Sequence, residues 1–96
     1  MAGYVSLVRF TPQGVATIKD LPARIDVVKQ TAEKMGVRVV GIWLTMGQYD
    51  LVAIFDAPND QAMGTLLLSL AGRGNGSSET MRAFSEDEIR TLVSKL

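Results

Sequence analysis

The residues with the most chemical potential in this chain lie close together in "LTMGQYDLVAIFDAPND", residues 44–60. Thr45, Gly47, Tyr49 and Asp50 gather there between two stretches that are almost wholly apolar, with Trp43 just upstream. A carboxylate beside a phenol can move protons. Asp50 would serve as base once burial lifted its pKa, with Tyr49, or an arginine such as Arg82, as polarising partner. Trp43 could stack on an aromatic ligand. Against this stands a plainer reading, in which Gly47-Gln48 is the centre of a hairpin turn and its neighbours only fix the register.

The absences narrow the chemistry. Without cysteine or histidine, Ser-His-Asp and Cys-His catalysis, the usual zinc sites and histidine ligation of haem are excluded. No acidic spacing resembles a calcium loop, and the glycines of "GRGNG", residues 72–76, lack the strand-then-helix setting of a phosphate loop. No metal and no cofactor is expected. Ten basic and ten acidic residues cancel, which removes the main ground for a nucleic-acid or anionic-membrane partner. Arg9, Arg24, Arg38 and Arg82 are dispersed and read as solvated charges, with an anion clamp as the alternative. The amino terminus lacks a charged leader, and no run approaches the roughly 20 apolar residues that cross a bilayer. A soluble cytoplasmic protein is expected.

These side chains need a frame. At 96 residues, 47% hydrophobic and 21% charged, the chain reads as a single domain, 1–96, with a thin core. Residues 3–10, "GYVSLVRF", form a first strand. Thr11 and Pro12 open a helical stretch, and Ile18, Leu21, Ile25, Val28, Ala32 and Met35 lay one apolar stripe along it. Pro22 interrupts that stripe, so a short turn should come first, with the main helix restarting around residues 20–22 and ending at Gly36. Lys19, Asp20 and Arg24 cluster at this break, where capping and a local ion pair account for them. Residues 37–46 and 50–56 are the next strands. Asn59 or Asp60 caps a second helix with Ala62, Met63, Leu66, Leu67 and Leu70 inward, and "GRGNG" is a flexible link. A weaker strand spans about 77–84. Ser85 and Glu88 have capping-box spacing before a short helix whose inner side is Ile89, Leu92 and Val93. The order β-α-β-β-α-β plus a C-terminal helix predicts a ferredoxin-like α+β fold, a four-stranded antiparallel sheet with two helices on one face.

A type II′ turn at Gly47-Gln48 sets Thr45 opposite Asp50 and Trp43 opposite Val52. One face then carries Val40, Ile42, Leu44, Leu51, Ala53 and Phe55, all apolar, for the helices to cover. The other carries Val39, Gly41, Trp43, Thr45, Asp50, Val52, Ile54 and Asp56, while Tyr49 falls on the side opposite Asp50. An apolar second face that no helix covers marks an interface. The best occupant is the same face of a second copy, giving a homodimer, or a larger assembly built from it, with a barrel-like interior. Tyr4, Ser6, Thr80 and Arg82 would line that interior if strand parity turns them inward.

The strand order, the G-x-Y-D turn and the following "APND" resemble the GYD-domain family of small, mostly bacterial proteins. "TPQG", "IKDLPAR", "GIWLTMGQYDLVAIFDAPND" and "GNGSSETMRAF" all fall in order along nearly the whole chain. The family's namesake residues would be Gly47, Tyr49 and Asp50, and the likeness also draws in Gly14, Lys19, Arg24, Pro58, Asp60 and Thr80. Asn59 departs from the usual aspartate, and Gly76 from a larger apolar residue. The resemblance implies a dimeric α/β barrel. It implies no reaction, since related barrels range from cofactor-independent monooxygenases to ligand-binding regulators. Two functions therefore stand side by side. One is a non-enzymatic homodimer that binds a small apolar or aromatic molecule or serves as an assembly module. The other is a cofactor-independent oxygenase or isomerase acting in the barrel interior.

Overall fold

The computed structural model describes residues 1–96. Strand β1 (Ala2–Phe10) runs straight into a capped helix. The Thr11 side chain accepts from the Gly14 amide and Pro12 opens α1 (Pro12–Ala16). A 3-10 turn over Ile18–Asp20 follows, and α2 (Leu21–Lys34) restarts where the proline required it to. Pro22 lies in the first turn of α2, where its missing N–H leaves no helical bond unmade. At the other end Gly36 takes φ 72°, its N–H donating to Glu33 O and the Val37 N–H to Ala32 O. This Schellman ending carries Val37 and Ala32 into the core together.

The remaining elements are β2 (Arg38–Leu44), β3 (Leu51–Ala57), α3 (Asp60–Ala71), β4 (Gly76–Ala83) and α4 (Glu86–Val93). Asn59 caps α3 by accepting from the Ala62 amide at 2.9 Å, so the departure from aspartate keeps the capping function. The four strands form one antiparallel sheet in the order β2-β3-β1-β4, the ferredoxin-like arrangement.

The hairpin register agrees with expectation from Gly41↔Ile54 to Leu44↔Leu51, then departs on both sides. Between Val39 and Gly41 a bulge inserts one residue. Beyond it the faces exchange: Val39 pairs with Phe55 and packs on the core, while Val40 is exposed. The assignment of Val40 to the helix side and Val39 to the open side is thereby reversed. The turn is also looser than type II′. The Thr45 amide donates to Asp50 O at 2.9 Å, Thr45 Oγ1 donates to Tyr49 O at 2.6 Å, and Gly47 takes φ 151°.

Two expectations about the chain's periphery change as well. The "GRGNG" segment is strapped down: Thr11 N–H donates to Asn75 O, Thr11 Oγ1 to Gly74 O, and the Gln13 amide to Arg73 O and Asn75 Oδ1. Helix α4 has its capping box, but Ile89, Leu92 and Val93 are each about half exposed, because no strand or helix packs along it.

The core fills one end of the space between sheet and helices. Tyr4, Phe55 and Ala57 meet Ala32, Val37, Met63 and Leu66 at the end nearest the C-terminus of β3. Toward the other end, the first turns of α2 and the last turns of α3 stand away from the sheet and leave a cleft of about 540 Å³.

Candidate functional site: the helix-free sheet face and its turn

Strand alternation decides what the helix-free face presents. Phe55 and Ala53 are buried beneath the helices, so the residues between them turn away. Ile54 pairs with Gly41 and Val5, and Val5 pairs with Met81. One row along, Trp43, Val52 and Leu7 lie side by side, ending at Glu79. The result is a continuous apolar surface of Val5, Leu7, Trp43, Val52, Ile54 and Met81. Trp43 is 51% exposed. The chain is only 17 Å across its shortest axis, the depth of one sheet and one helix layer, so nothing within it covers this face.

Charges rim the surface. Arg38 lies 3.8 Å from Asp56 at one end. At the other, Arg9 sits over the Tyr49 ring at 4.8 Å and its Nε–H donates to Gln48 O, while Tyr49 Oη donates to Glu79 Oε2 at 2.9 Å. That hydrogen bond, with desolvation second, raises the Tyr49 pKa above the ordinary tyrosine value, against the opposing pull of Arg9. Because the bend at the turn breaks alternation, Tyr49 reaches Arg9 and Glu79, both on the helix-free side. It does not occupy the side opposite Asp50. Asp50 itself is tied into the sheet: its carboxylate accepts from the Phe10 amide at 2.8 Å, and its own amide donates to Val8 O at 2.8 Å. Thr45 is engaged within the turn and Gly47 is exposed at its tip.

Arg82 stands apart from this group. It pairs with Tyr4, which pairs with the buried Phe55, so Arg82, Tyr4, Ser6 and Thr80 all alternate toward the helices and not toward the open face. Arg82 is occupied at the far end of the sheet. It donates to the carbonyls of Gly3 and Ala83, lies 4.4 Å over the Phe84 ring and 3.7 Å from Glu88. The Ser85 amide, then the Ser85 hydroxyl and Arg82, hold the Glu88 carboxyl below the usual range, against an opposing loss of hydration. The structure thus brings Trp43, Thr45, Gly47, Tyr49 and Asp50 to one end of the sheet and leaves Arg82 at the other. None of these six lines the large cleft, which is on the helix side.

Sequence reasoning missed one participant, Glu79, and misplaced two, Arg9 and Tyr4. Arg9 and Glu79 belong to the Tyr49 corner, and the signal for them was strand register with β1 as the central strand. Tyr4, whose hydroxyl bonds the Asp60 carboxylate at the start of α3, is a core residue whose pKa is raised first by that bond. Arg24 and Asp20 also form no ion pair. The Arg24 guanidinium donates to the carbonyls of Gly14 and Thr17 at 3.1 and 3.2 Å.

Comparison with known proteins agrees with this architecture. The GYD domain family model matches residues 4–93. A Thermus thermophilus protein described as a glutamine synthetase and cystathionine beta-lyase binding protein is 33% identical over 97 residues, covering 100% of this chain and 99% of that protein. A crystal structure of a Thermus thermophilus chain superposes with a TM-score of 0.56 at 20% identity, covering 88% of this chain and 95% of that one, a likeness of fold. The chain belongs to the GYD-domain family.

Proposed function

We propose that this GYD-domain chain is a cytoplasmic, non-catalytic binding protein that works as a homodimer and docks on other proteins. The observation that carries the proposal is the uncovered apolar sheet face around Trp43. A protein of this size leaves such a surface open only where something covers it. Its row of Leu7, Val52 and Trp43, flanked by Arg9, Glu79, Arg38 and Asp56, has an apolar centre and a charged rim. A two-fold partner would bury the same face of its own chain, closing a barrel between two sheets.

Protein partners then meet a different surface. Helix α4 stands clear of the fold with Ile89, Leu92 and Val93 on one side, anchored through Arg82, Phe84 and the Ser85–Glu88 box. An amphipathic helix held rigid at its root and unpartnered along its length suits insertion into a partner's groove. The full-length likeness to a protein described as binding two enzymes supports a protein-binding role. By that likeness, glutamine synthetase is the first partner to test. The oxygenase or isomerase alternative lacks a comparable observation, because the Asp50 carboxylate serves the Phe10 amide and Arg82 lies at the far end of the sheet.

The test is Ile54→Lys, which sets a charge in the centre of the face without touching the core. Light scattering should change from a dimer to a folded monomer. A wild-type monomer, or a variant that still dimerises, would overturn the reading.

A further inference from the structure

Neither self-association nor helix docking makes use of the cleft between the helices and the sheet. At about 540 Å³ it is within the range of small-molecule sites and far larger than the voids of a packed interior. Its origin is legible in residue size. Small residues, Ser6, Ala53, Gly76 and Ser78, share the floor with Val8 and Leu51 and leave it low beside the Tyr4 end of the core. The walls are aliphatic, with Leu21, Ile25 and Val28 from α2 facing Leu67 and Leu70 from α3. Such a lining offers water few hydrogen bonds.

The charged part of the lining is net cationic. Arg24 and Arg73 stand there against a single aspartate, Asp20, and neither arginine has a carboxylate within 4.0 Å. Arg73 donates to Thr31 Oγ1. The Arg24 guanidinium is held in place by Gly14 O and Thr17 O, yet its Nε is buried with no hydrogen-bond partner. The frame around it is rigid. A Cβ at Gly14 would fall 2.1 Å from Asn75 O, so α1 and the loop before β4 close directly on each other. A guanidinium held by two carbonyls, without a carboxylate partner and lining an apolar cleft, suits an anionic acceptor.

We propose that the cleft binds a small amphipathic monocarboxylate, its aliphatic or aryl body between α2 and α3 and its carboxylate on the Arg24 guanidinium. The site is complete within one chain and lies across the sheet from Trp43. Its success or failure is therefore independent of the dimer.

Calorimetric titration of octanoate into the full chain tests this, with octanol as the uncharged control. Two variants accompany it. Arg24→Gln removes the anchor. Ser78→Phe places a ring on the cleft floor from an exposed position, so the core is not disturbed. Saturable binding of one octanoate per chain is expected, weakened roughly tenfold or more for octanol and for Arg24→Gln, and abolished by Ser78→Phe with the circular dichroism spectrum retained. Absence of saturable heat, equal affinity for octanol, or binding that survives Ser78→Phe while altering Trp43 fluorescence would overturn the proposal.

Discussion

The Trp43 indole covers Gly41 two residues back along β2: a Cβ built on Gly41 would fall 2.4 Å from Cη2 of the ring and 2.9 Å from its neighbours. Only a residue without a side chain lets the indole lie this close to the backbone. Gly41 therefore shapes the helix-free face without contributing to it. Gly41→Ala should lift the ring and weaken self-association by roughly tenfold, while the circular dichroism spectrum stays unchanged. Light scattering across a dilution series measures this, and an unchanged dissociation constant would contradict it.

The chain's two tyrosines report on both ends of the sheet. Tyr4 bonds the Asp60 carboxylate and Tyr49 bonds Glu79, and both phenols are pushed above the ordinary value near 10. As pH rises, the unfolded chain ionises first. The stability these bonds contribute is complete below the unfolded pKa and is lost as pH climbs through the raised folded values. Ultraviolet titration of the phenols should thus be displaced to higher pH in the native chain relative to the urea-unfolded chain. Tyr49→Phe should remove one of the two displaced transitions. Coincident native and unfolded curves would contradict the assignment.

Helix α4 allows binding to be separated from stability. Since Ile89 and Leu92 are 50% and 47% exposed, the double change Ile89→Ser, Leu92→Ser should alter the unfolding free energy by no more than about 0.5 kcal/mol per site. The same variant should lose binding to glutamine synthetase in a surface titration. If it binds as the unaltered chain does, α4 is not the docking element.

The cleft beside the core predicts unequal costs for neighbouring leucines on α3. Leu66 is 0% exposed among Met63, Phe55 and Ala32, while Leu67 borders the cleft. Leu66→Ala should cost about 2–5 kcal/mol, and Leu67→Ala less than half of that, because a cavity wall loses fewer contacts. Urea unfolding of the two variants measures the difference, and equal costs would mean the cleft is closed in solution.

Much of this frame was legible in the sequence because local rules govern it. Thr11-Pro12, Pro22, Gly36, Asn59 and the Ser85–Glu88 pair each act within a few residues, and each does what its type demands. The hairpin register was legible for the same reason. The bulge at Val40 was not, since one extra residue leaves the hydrophobic alternation of "VVGIW" equally consistent with either face. The parity of Arg82 and Tyr4 depended on pairing across long sequence separations, which no local pattern encodes. The Tyr49 corner was half visible: its glycine, tyrosine and aspartate stand together in the chain, but Arg9 and Glu79 arrive from other strands. Burial of α4 failed as an expectation because amphipathic spacing shows that a helix has an apolar side, not that its own chain covers it.

Sedimentation equilibrium at micromolar concentration, read together with iodide quenching of the single tryptophan, tests the central proposal most directly. A mass of two chains with an indole shielded from iodide is the predicted result. A mass of one chain, with Trp43 fully open to the quencher, would contradict the proposal.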